Sequence, residues 1–455
     1  MGRRDAGLAP QALDVAAAID DRAITNYQKL VIAATASLIV LDGMDGQLLA
    51  NAIPSISREW NLPRAAFATA SAAAPLGMML GGVLGGLLGD RLGRRTALLF
   101  SVITFAVLTL AAAAVDTISM LALARFVAGV GLGGALPNAT ALVAEYAPRR
   151  NRPLAITATI VCIPLGGFLG GLIAGQMVPA YGWRSLFVVG GLVPALLALL
   201  LFKVLPESPR YLAARRNRWP ELSAVLQRMG LAVGPRTEYV ETATAATSRG
   251  SFAALLAPGL RRDTISLIVA FTSCLLAIWT GFLWIPSMLT DAAVGFKQAD
   301  ASYALSLFNF GGVAGALAGA IVIQRLGSRR ALLGMTGLAV IAAVLMAVLP
   351  PHTQQFLRTM TLFAVAGALM NAVQATMYAL AAHVFPTSIR GTGVGTTLAI
   401  GRVGNVLASY AGSGALVAGG PPLFFMTWAG ALTIVFVALA TIRRHIPPSS
   451  ANPAG

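Results

Sequence analysis

Long, unbroken runs of apolar residues dominate this sequence, for example Ala97 to Val115 and Ala331 to Leu349. About 20 apolar residues in a row are enough for a helix to cross the hydrocarbon core of a bilayer. Only 11% of the 455 residues are charged, whereas soluble domains carry about 25%. The runs do not alternate polar and apolar residues, as the strands of a membrane barrel do. The sequence therefore predicts an all-α integral membrane protein.

The apolar runs and the breaks between them predict twelve transmembrane helices, arranged in two pseudo-symmetric six-helix bundles. The predicted segments are an N-terminal tail (1–27), a first bundle (28–204), a central loop (205–261), a second bundle (262–442) and a C-terminal tail (443–455). Within the bundles, helices are expected at about 28–55, 65–89, 95–115, 119–146, 153–177, 185–204, 262–290, 301–325, 330–349, 355–383, 391–416 and 422–442.

Basic residues are distributed unevenly between the predicted loops. If the N-terminus is cytoplasmic, five of the 33 basic residues fall in outside loops and two within helices, which leaves 26 on the cytoplasmic side. The five are Arg58, Arg64, Arg184, Lys297 and Arg358. Because basic loops stay in the cytoplasm, both tails and the central loop are predicted to be cytoplasmic. The net charge of +16 then reflects topology, and no nucleic-acid partner is expected. The first 28 residues contain no apolar segment typical of a cleaved signal peptide. Arginine far outnumbers lysine, which indicates a GC-rich bacterial genome and therefore the inner membrane.

Two motifs recur weakly at equivalent points of the two halves. Arg-Leu-Gly occurs at residues 91–93 and again at 325–327. Glu-Tyr-Ala-Pro, which ends at Pro148, is matched by His-Val-Phe-Pro, which ends at Pro386. Duplicated halves of this kind are a transporter architecture, with the substrate site between them near the middle of the membrane. No phosphate-binding Gly-x-x-x-x-Gly-Lys-Ser/Thr motif occurs, so ATP-driven transport by this chain alone is not expected.

The loop after the second predicted helix contains a strong signature, Gly-x-x-x-Asp-Arg-x-Gly-Arg-Arg. Its residues are Gly86, Asp90, Arg91, Gly93, Arg94 and Arg95. Glu145 and Arg152 flank the loop between helices 4 and 5, and Pro-Glu-Ser-Pro-Arg ends at Arg210 after helix 6. Together these features resemble the major facilitator superfamily over essentially the whole chain. The resemblance implies a secondary transporter that works by alternating access.

Three further stretches are similar to the aromatic acid:proton symporters of that superfamily. They are Asp42-Gly-Met-Asp45 in helix 1, the segment from Arg125 to Glu145 in helix 4, and Gly401-Arg402-Val-Gly404 in helix 11. Sugar porters share the loop signatures, but they carry paired glutamines in helix 7, and helix 7 of this chain has none.

Asp42 and Asp45 are the candidate proton-coupling residues, together with Arg125. Residues three apart share a helix face, and an acidic side chain at the bilayer centre costs about 2.5–3.5 kcal/mol. Burial and mutual repulsion favour uptake of a proton by one of the two carboxyls, and the sequence does not indicate which. Arg125 does not deprotonate, but it can change the proton affinity of a neighbour. The alternative interpretation is a structural ion pair between Arg125 and one of the aspartates.

Arg402 is the main candidate for substrate binding. It lies about a dozen residues into helix 11, and the apolar part of that half offers no acidic partner. An unpaired buried arginine is unfavourable, so an anionic substrate would resolve the mismatch. Asp42 or Asp45 could instead pair with it across the two halves. The other predicted substrate-binding residues are Arg125, Asn138, Trp279, Phe308 and Tyr378. Aromatic rings among them would stack on a benzoate-like ring, although each ring could equally belong to the core.

The charged loop residues are predicted to form a conformational lock. It comprises the six signature residues from Gly86 to Arg95, together with Glu145 and Arg152, and its ion pairs would hold the outward-open state. The alternative role of these charges is orientation in the membrane and binding of phosphate headgroups. Gln324 and His383 replace the equivalent carboxylates in the second half, which leaves a second lock doubtful.

The sequence thus predicts a proton-coupled symporter that imports a small organic anion, namely an aromatic carboxylate such as a hydroxybenzoate. It is predicted to be monomeric and not an enzyme, without metal or cofactor. The alternatives are a proton antiporter that exports drugs or metabolites, a porter of sugars or other organic acids, and a sensor that does not transport. The direction of a proton-driven flux separates import from export, and a sensor would need a signalling domain, for which the central loop is short.

Overall fold

The computed structural model describes residues 12–231, 233–234, 237–240, 252–386 and 389–448 of the chain. Most of these residues are helical, as the apolar runs predict. In the first half and the central segment the helices are α1 (Val15–Asp20), α2 (Asn26–Asp45), α3 (Leu48–Glu59), α4 (Ala68–Leu92), α5 (Arg94–Ala112), α6 (Ile118–Tyr146), α7 (Arg152–Tyr181), α8 (Arg184–Val204), α9 (Pro209–Ala213), α10 (Trp219–Arg228) and α11 (Phe252–Leu255). The second half contains α12 (Arg261–Leu289), α13 (Gln298–Val348), α14 (Phe356–Val384), α15 (Arg390–Gly401) and α16 (Val403–Thr441).

Ten helical segments of the described chain are long and apolar enough to span a membrane. Two of them, Gln298–Val348 and Arg390–Thr441, contain 51 and 52 residues. A straight helix of that length would measure about 75 Å, more than twice the thickness of a hydrocarbon core. Each contains a glycine with a positive, non-helical φ, 77° at Gly327 and 60° at Gly420. Counting each as two crossings gives twelve, and that number stays a prediction.

Two predicted helices are interrupted where the sequence suggested continuous runs. The first ends at Asp45 and resumes at Leu48 as α3, and the eleventh is broken at Arg402, between α15 and α16. Hydropathy reports only the apolar character of a run, so it does not reveal these breaks. Both interruptions lie beside residues predicted to bind a proton or a substrate.

Close helix packing in the first half depends on glycine. A Cβ atom at Gly81 of α4 would overlap the carbonyl of Val130 in α6, and one at Gly133 of α6 would overlap the carbonyl of Met78. Gly43 of α2 meets the backbone of Ile163 in α7 in the same way. Small residues allow helices in a membrane to approach until their backbones touch. This packing fixes the positions of α2, α4 and α6, which carry the candidate site.

The buried apolar side chains separate according to the halves of the chain. The largest cluster draws on residues from Leu255 to Ile442, with only Ala50 and Ala68 added from the first half. Two other clusters consist of residues between Val15 and Tyr239. Each half therefore has a core of its own, and the halves meet along a separate surface.

The tail and the central loop contain more structure than the sequence predicted. Ala12–Asp14 (β1) pairs in parallel with Glu238–Val240 (β2), so the small sheet joins the N-terminal tail to the central segment. Helices α1, α9 and α10 lie in the same two segments. We call the side of the molecule where α2 begins and α16 ends the terminal face, and the side where α3 ends and α13 begins the opposite face.

Candidate functional site

Asp45 and Arg125 form a fully buried ion pair between α2 and α6. Arg125 Nη1 lies 3.0 Å from Asp45 Oδ2, and the two side chains are 1% and 0% exposed. Arg125 Nη2 also donates to the Asp45 carbonyl at 3.3 Å, and the Thr109 hydroxyl donates to the other carboxylate oxygen. The charge of Asp45 is therefore compensated within the first half of the chain.

Asp42 lies one turn before Asp45 in α2, in a different environment. It is only 7% exposed, and no side chain in the described part of the chain donates a hydrogen bond to it or pairs with it within 4.0 Å. It interacts electrostatically with Asp45 and with Arg402. Of the two aspartates predicted to handle a proton, Asp42 is the one without a fixed cation.

Arg402 reaches from the second half to the first. It occupies the break between α15 and α16, and its Nη1 donates to the Met78 carbonyl of α4 at 3.0 Å. Gly82 leaves room for the guanidinium, because a Cβ there would lie 2.9 Å from Nη1. One hydrogen bond uses only part of a group that has five N–H donors. No carboxylate of the described residues forms an ion pair with Arg402.

The predicted aromatic residues fall into two groups. Tyr378 is half-buried, interacts electrostatically with Arg402 and packs edge-on against Phe271, with ring centroids 5.3 Å apart. Trp279 is half-buried and contacts Phe282 at 6.1 Å. Phe308 is fully buried and packs against Phe282 in the core of the second half. Of the three, Phe308 is the one enclosed within the apolar core.

Asn138 lies in a packing interface between α4 and α6. Its Nδ2 donates to the carbonyls of Gly85 and Gly134, each at 2.8 Å, and the side chain is fully buried. It is 13 positions from Arg125 along α6, which corresponds to about 20 Å. The fold thus separates two residues that the sequence had assigned to one substrate site. The binding role of Asn138 stays a prediction, and its contacts support a structural one.

The two halves are joined by polar contacts that the sequence analysis missed. Gln47, in the break of the first helix, exchanges two hydrogen bonds with Asn309 of α13, at 2.8 and 2.7 Å. Gln298 donates to the Asn51 carbonyl at 2.9 Å. A polar residue inside an apolar run was the available signal for Gln47 and Asn309.

Arg64 completes this set of contacts at the opposite face. It donates to the carbonyls of Ser287 and Thr290 at the C-terminal end of α12, the second at 2.8 Å, and lies 3.6 Å from Asp291. A cation is favourable at the negative end of a helix dipole. The sequence analysis assigned Arg64 to an outside loop and gave it no contact. We call Arg64, Gln47, Asn309 and Gln298 with their partners the clasp.

The predicted lock lies at the terminal face, within the first half and the central segment. Arg94 pairs with Asp90 at 2.6 Å and lies 3.9 Å from Glu145. Arg152 does not join this pair; it lies 2.5 Å from Asp20. The side chain of Arg95 donates to the Phe202 carbonyl. The carbonyl of Arg91 accepts from two side chains of α9 and its following turn.

Glu207, which the sequence analysis noted in the Pro-Glu-Ser-Pro-Arg motif but did not assign to the lock, organises this cluster. Its carboxylate accepts from the backbone N–H groups of Arg95 and Ser208, each at 2.9 Å, and the Ser208 hydroxyl donates to Glu145. Gly93 has a φ of 101° and faces the Glu207 carboxylate. The lock residues thus bind the central segment to the first half, since the side-chain bonds of Arg94, Arg95 and Arg152 all lie within the part of the chain before the second half.

Comparisons of the sequence with family models and with known proteins agree on one family. The sequence model of the Major Facilitator Superfamily matches residues 35–355 and 267–455. The gallate transporter of Pseudomonas putida is 32% identical over 437 residues, which cover 95% of this chain and 96% of that protein. The 4-hydroxybenzoate transporter PcaK of the same species is 33% identical over 408 residues, covering 89% of each chain. The benzoate transport protein of Acinetobacter baylyi is 27% identical and covers 96% of this chain and 94% of its own.

Solved structures show the same fold at low sequence identity. A crystal structure of a D-xylose-proton symporter superposes with a TM-score of 0.69 at 18% identity, covering 94% of this chain and 99% of that one. An inward open conformation of the xylose transporter XylE from E. coli gives 0.68 at 18% identity, with 90% and 95% covered. The family and the relatives are transporters, which confirms the prediction of a transporter rather than an enzyme.

The two aspartates are expected to differ in their effect on stability. Asp45→Asn leaves Arg125 buried without a counter-charge, and such a loss costs about 3–5 kcal/mol. Asp42→Asn breaks no ion pair or hydrogen bond of the described chain. Thermal unfolding in detergent should therefore show a marked fall in melting temperature for Asp45→Asn and little change for Asp42→Asn. Equal losses would contradict the assignment of the ion pair to Asp45.

Two glycines of the loop signature offer a matched test of the cluster. Gly93→Ala should lower the melting temperature, because a side chain at this φ is strained by about 1–3 kcal/mol and would also meet Glu207. Gly86→Ala should not, since nothing lies within 4 Å of the added Cβ. The same unfolding assay applies to both. A destabilised Gly86→Ala, or an unaffected Gly93→Ala, would refute this account of the signature.

Proposed function

The chain belongs to the major facilitator superfamily, and on that premise we propose that it is a proton-coupled symporter that imports a small aromatic carboxylate. We propose twelve membrane crossings in two six-helix bundles, residues 28–204 and 262–442, with the terminal face in the cytoplasm. The two separate apolar cores and the glycine breaks in the two longest helical segments support this arrangement. The excess of basic residues in the terminal-face loops supports the orientation, and a bacterial inner membrane is the proposed location. The proposed unit is a monomer.

One observation carries the proposed mechanism. An uncompensated carboxyl, Asp42 on the first half, and an uncompensated guanidinium, Arg402 on the second, lie within electrostatic range but form no ion pair. Both are near the middle of their apolar helical segments, where an uncompensated charge is costly. A proton neutralises Asp42 and an organic anion neutralises Arg402. The site therefore has one place for each of the two transported species.

Charge compensation explains why the two species would move together. When the site is empty, Asp42 and Arg402 can neutralise each other as the cavity closes. When both proton and anion are bound, each charge again has a counterpart. With only one of them bound, closing the cavity would bury a net charge away from water, at a cost of several kcal/mol. Only the empty and the fully loaded forms would then change conformation readily, which is the requirement for symport.

The substrate class follows from the site and from the relatives. A guanidinium binds a carboxylate through two parallel hydrogen bonds, and Arg402 has the donors for this. Tyr378 is within electrostatic range of Arg402 and offers an aromatic face and a hydroxyl for the ring of the substrate. The gallate, 4-hydroxybenzoate and benzoate transporters among the relatives are each named for an aromatic acid. Trp279 is a further proposed ring contact.

The remaining predicted residues receive different roles in this proposal. Arg125 holds the charge of Asp45 and thereby leaves Asp42 as the carboxyl that exchanges its proton. The clasp joins the two halves at the opposite face, and the hydrogen bond from Arg402 to Met78 joins them near the middle of the molecule. The described structure is therefore proposed to be open toward the cytoplasm. The lock cluster around Arg94 and Glu145 is proposed to take part in closing that side.

The first test is uptake into proteoliposomes that contain the purified chain. Radiolabelled 4-hydroxybenzoate should accumulate against its concentration gradient when protons are driven inward, and should only equilibrate without the proton gradient. If neither 4-hydroxybenzoate nor any acid of a wider aromatic panel is taken up, the proposed role of Arg402 is wrong. Proton-driven loss of preloaded substrate would instead indicate export by antiport.

Asp42→Asn tests the coupling. The amide imitates the protonated carboxyl, so exchange of labelled for unlabelled substrate should persist while accumulation driven by the proton gradient is abolished. Asp116→Asn removes an exposed carboxylate at the opposite face and serves as the matched control, which should accumulate substrate normally. If Asp42→Asn still accumulates substrate against its concentration gradient, this residue does not couple transport to protons.

Arg402→Gln tests the anion site. Charged hydrogen bonds are worth about 1.5–3 kcal/mol, so the dissociation constant for the aromatic acid should rise by about tenfold to a hundredfold. Arg402→Lys should recover part of the loss, since lysine keeps the charge but not the paired donors. Arg358→Gln, at a partly buried arginine of the opposite face that donates to the Pro350 carbonyl, should leave affinity unchanged. Binding is measured with labelled ligand on the purified protein, and unaltered affinity in Arg402→Gln would refute the assignment.

A further inference from the structure

Two adjoining grooves lie on the outer surface where α12 begins and α16 ends. The first has a volume of about 690 Å³, and the second, of about 360 Å³, continues from it along the same two helices. Ile265, Ser266 and Thr441 line both grooves, and a 2.8 Å hydrogen bond joins the two hydroxyl groups. The grooves therefore form one continuous depression that is separate from the site between the two halves.

The wider groove carries two arginines, whereas the narrower groove is apolar. Arg261 and Arg262 line the first groove and are exposed, and neither side chain forms a hydrogen bond or an ion pair with any other described residue. The neighbouring carboxylate, Asp263, is buried; it accepts from the backbone N–H of Arg443 at 2.9 Å and lies 3.9 Å from Arg444. The positive charge of the wider groove is therefore not neutralised by the described chain.

The lengths of the helices place this charge at the level of lipid headgroups. Helix α12 contains 29 residues, which corresponds to about 44 Å, while the hydrocarbon core of a bilayer is about 30 Å thick. The excess of about 14 Å leaves roughly one turn outside the hydrocarbon at each end. Arg261 and Arg262 occupy that first turn, and Ile265 lies where the hydrocarbon begins.

The narrower groove runs from that boundary into the apolar zone. Val269, Ile434 and Val437 line it, and all three are substantially exposed on the surface that faces lipid. A flexible hydrocarbon chain lying in such a groove adds dispersion contacts that a flat helix surface does not provide. The depression thus offers a cationic end at the headgroup level and an apolar channel below it.

We infer that this depression binds one anionic phospholipid of the surrounding bilayer. The phosphate would lie between Arg261 and Arg262, the hydroxyls of Ser266 and Thr441 would meet the glycerol region, and one acyl chain would follow the apolar groove. Guanidinium groups bind phosphate oxygens through charged, paired hydrogen bonds. A zwitterionic lipid carries its own cation and gains less from two arginines. The occupant is therefore a lipid with net negative charge, such as phosphatidylglycerol.

Native mass spectrometry of the purified full chain tests this inference. With added phosphatidylglycerol, the wild type should hold one lipid molecule more tightly than the rest, and phosphatidylcholine should not replace it. Arg261→Gln with Arg262→Gln should weaken that binding by roughly thirtyfold, as expected for two charges near a bilayer surface. The matched control is Arg149→Gln with Arg150→Gln, an exposed arginine pair of the same face that lines neither groove. The control should bind like the wild type.

The groove itself has an independent test that leaves the arginines in place. Val437→Trp fills the apolar channel and should weaken phosphatidylglycerol binding, while Val417→Trp, an equally bulky change at another exposed position of α16, should not. Tight binding that survives both the arginine and the Val437 changes would overturn the inference. So would equal losses in the Arg149 and Arg150 control. If inorganic phosphate alone binds as tightly and displaces the lipid fully, the site is a small-anion site and the lipid assignment is wrong.

Discussion

Charge in a low-dielectric interior is the constraint on which the rest of this structure depends. An ion of either sign is expensive there unless a counter-charge lies within hydrogen-bonding distance. The pair of Asp45 and Arg125 meets that requirement completely, with Thr109 taking the second carboxylate oxygen. Because this pair is closed within the first half, Asp42 and Arg402 are the charges that the proposed mechanism assigns to the proton and the anion. The proposed transport chemistry rests on this division between a fixed pair and an open one.

Backbone geometry puts those charges where they can act. Glycine contacts bring the backbone of α4 against α6 and that of α2 against α7, so side chains from different helices meet over short distances. The helix breaks have a related effect. Asp45 is the last residue of α2, and Arg402 lies between α15 and α16, so each stands where the regular hydrogen-bond ladder ends. Irregular backbone at membrane depth is tolerated where protein or a cavity surrounds it, and helix breaks of this kind commonly mark binding sites in transporters.

Hydropathy and motif spacing predicted the all-helical fold and the family. They left open the roles that three-dimensional pairing decides. From their spacing, Asp42 and Asp45 were equally good candidates for the proton-binding carboxyl. The ion pair of Arg125 with Asp45 distinguishes them. Asn138 looked like a polar residue facing a cavity, yet backbone carbonyls take its amide hydrogens. Arg64 was explained by topology alone, because a sequence does not show that a loop arginine meets the end of a helix far along the chain. The helix breaks left no signal in the apolar runs.

A transporter that works by alternating access needs similar free energies for the state closed at the opposite face and the state closed at the terminal face. The contacts between the halves indicate which bonds must be exchanged between these two states. In the clasp, Arg64 donates hydrogen bonds to carbonyls at the C-terminal end of α12, and the side-chain amides of Gln47 and Asn309 bond to each other. Opening the opposite face would break all of these bonds at once. Contacts of comparable strength must then form at the terminal face, where the ion pairs of Arg94 and Arg152 lie within the first half and the tail. The exposed carboxylate of Asp90, already held in place by Arg94, is available for such a contact. In the proposed cycle, the clasp and the lock are therefore alternative sets of bonds, and neither can be strengthened alone without slowing transport.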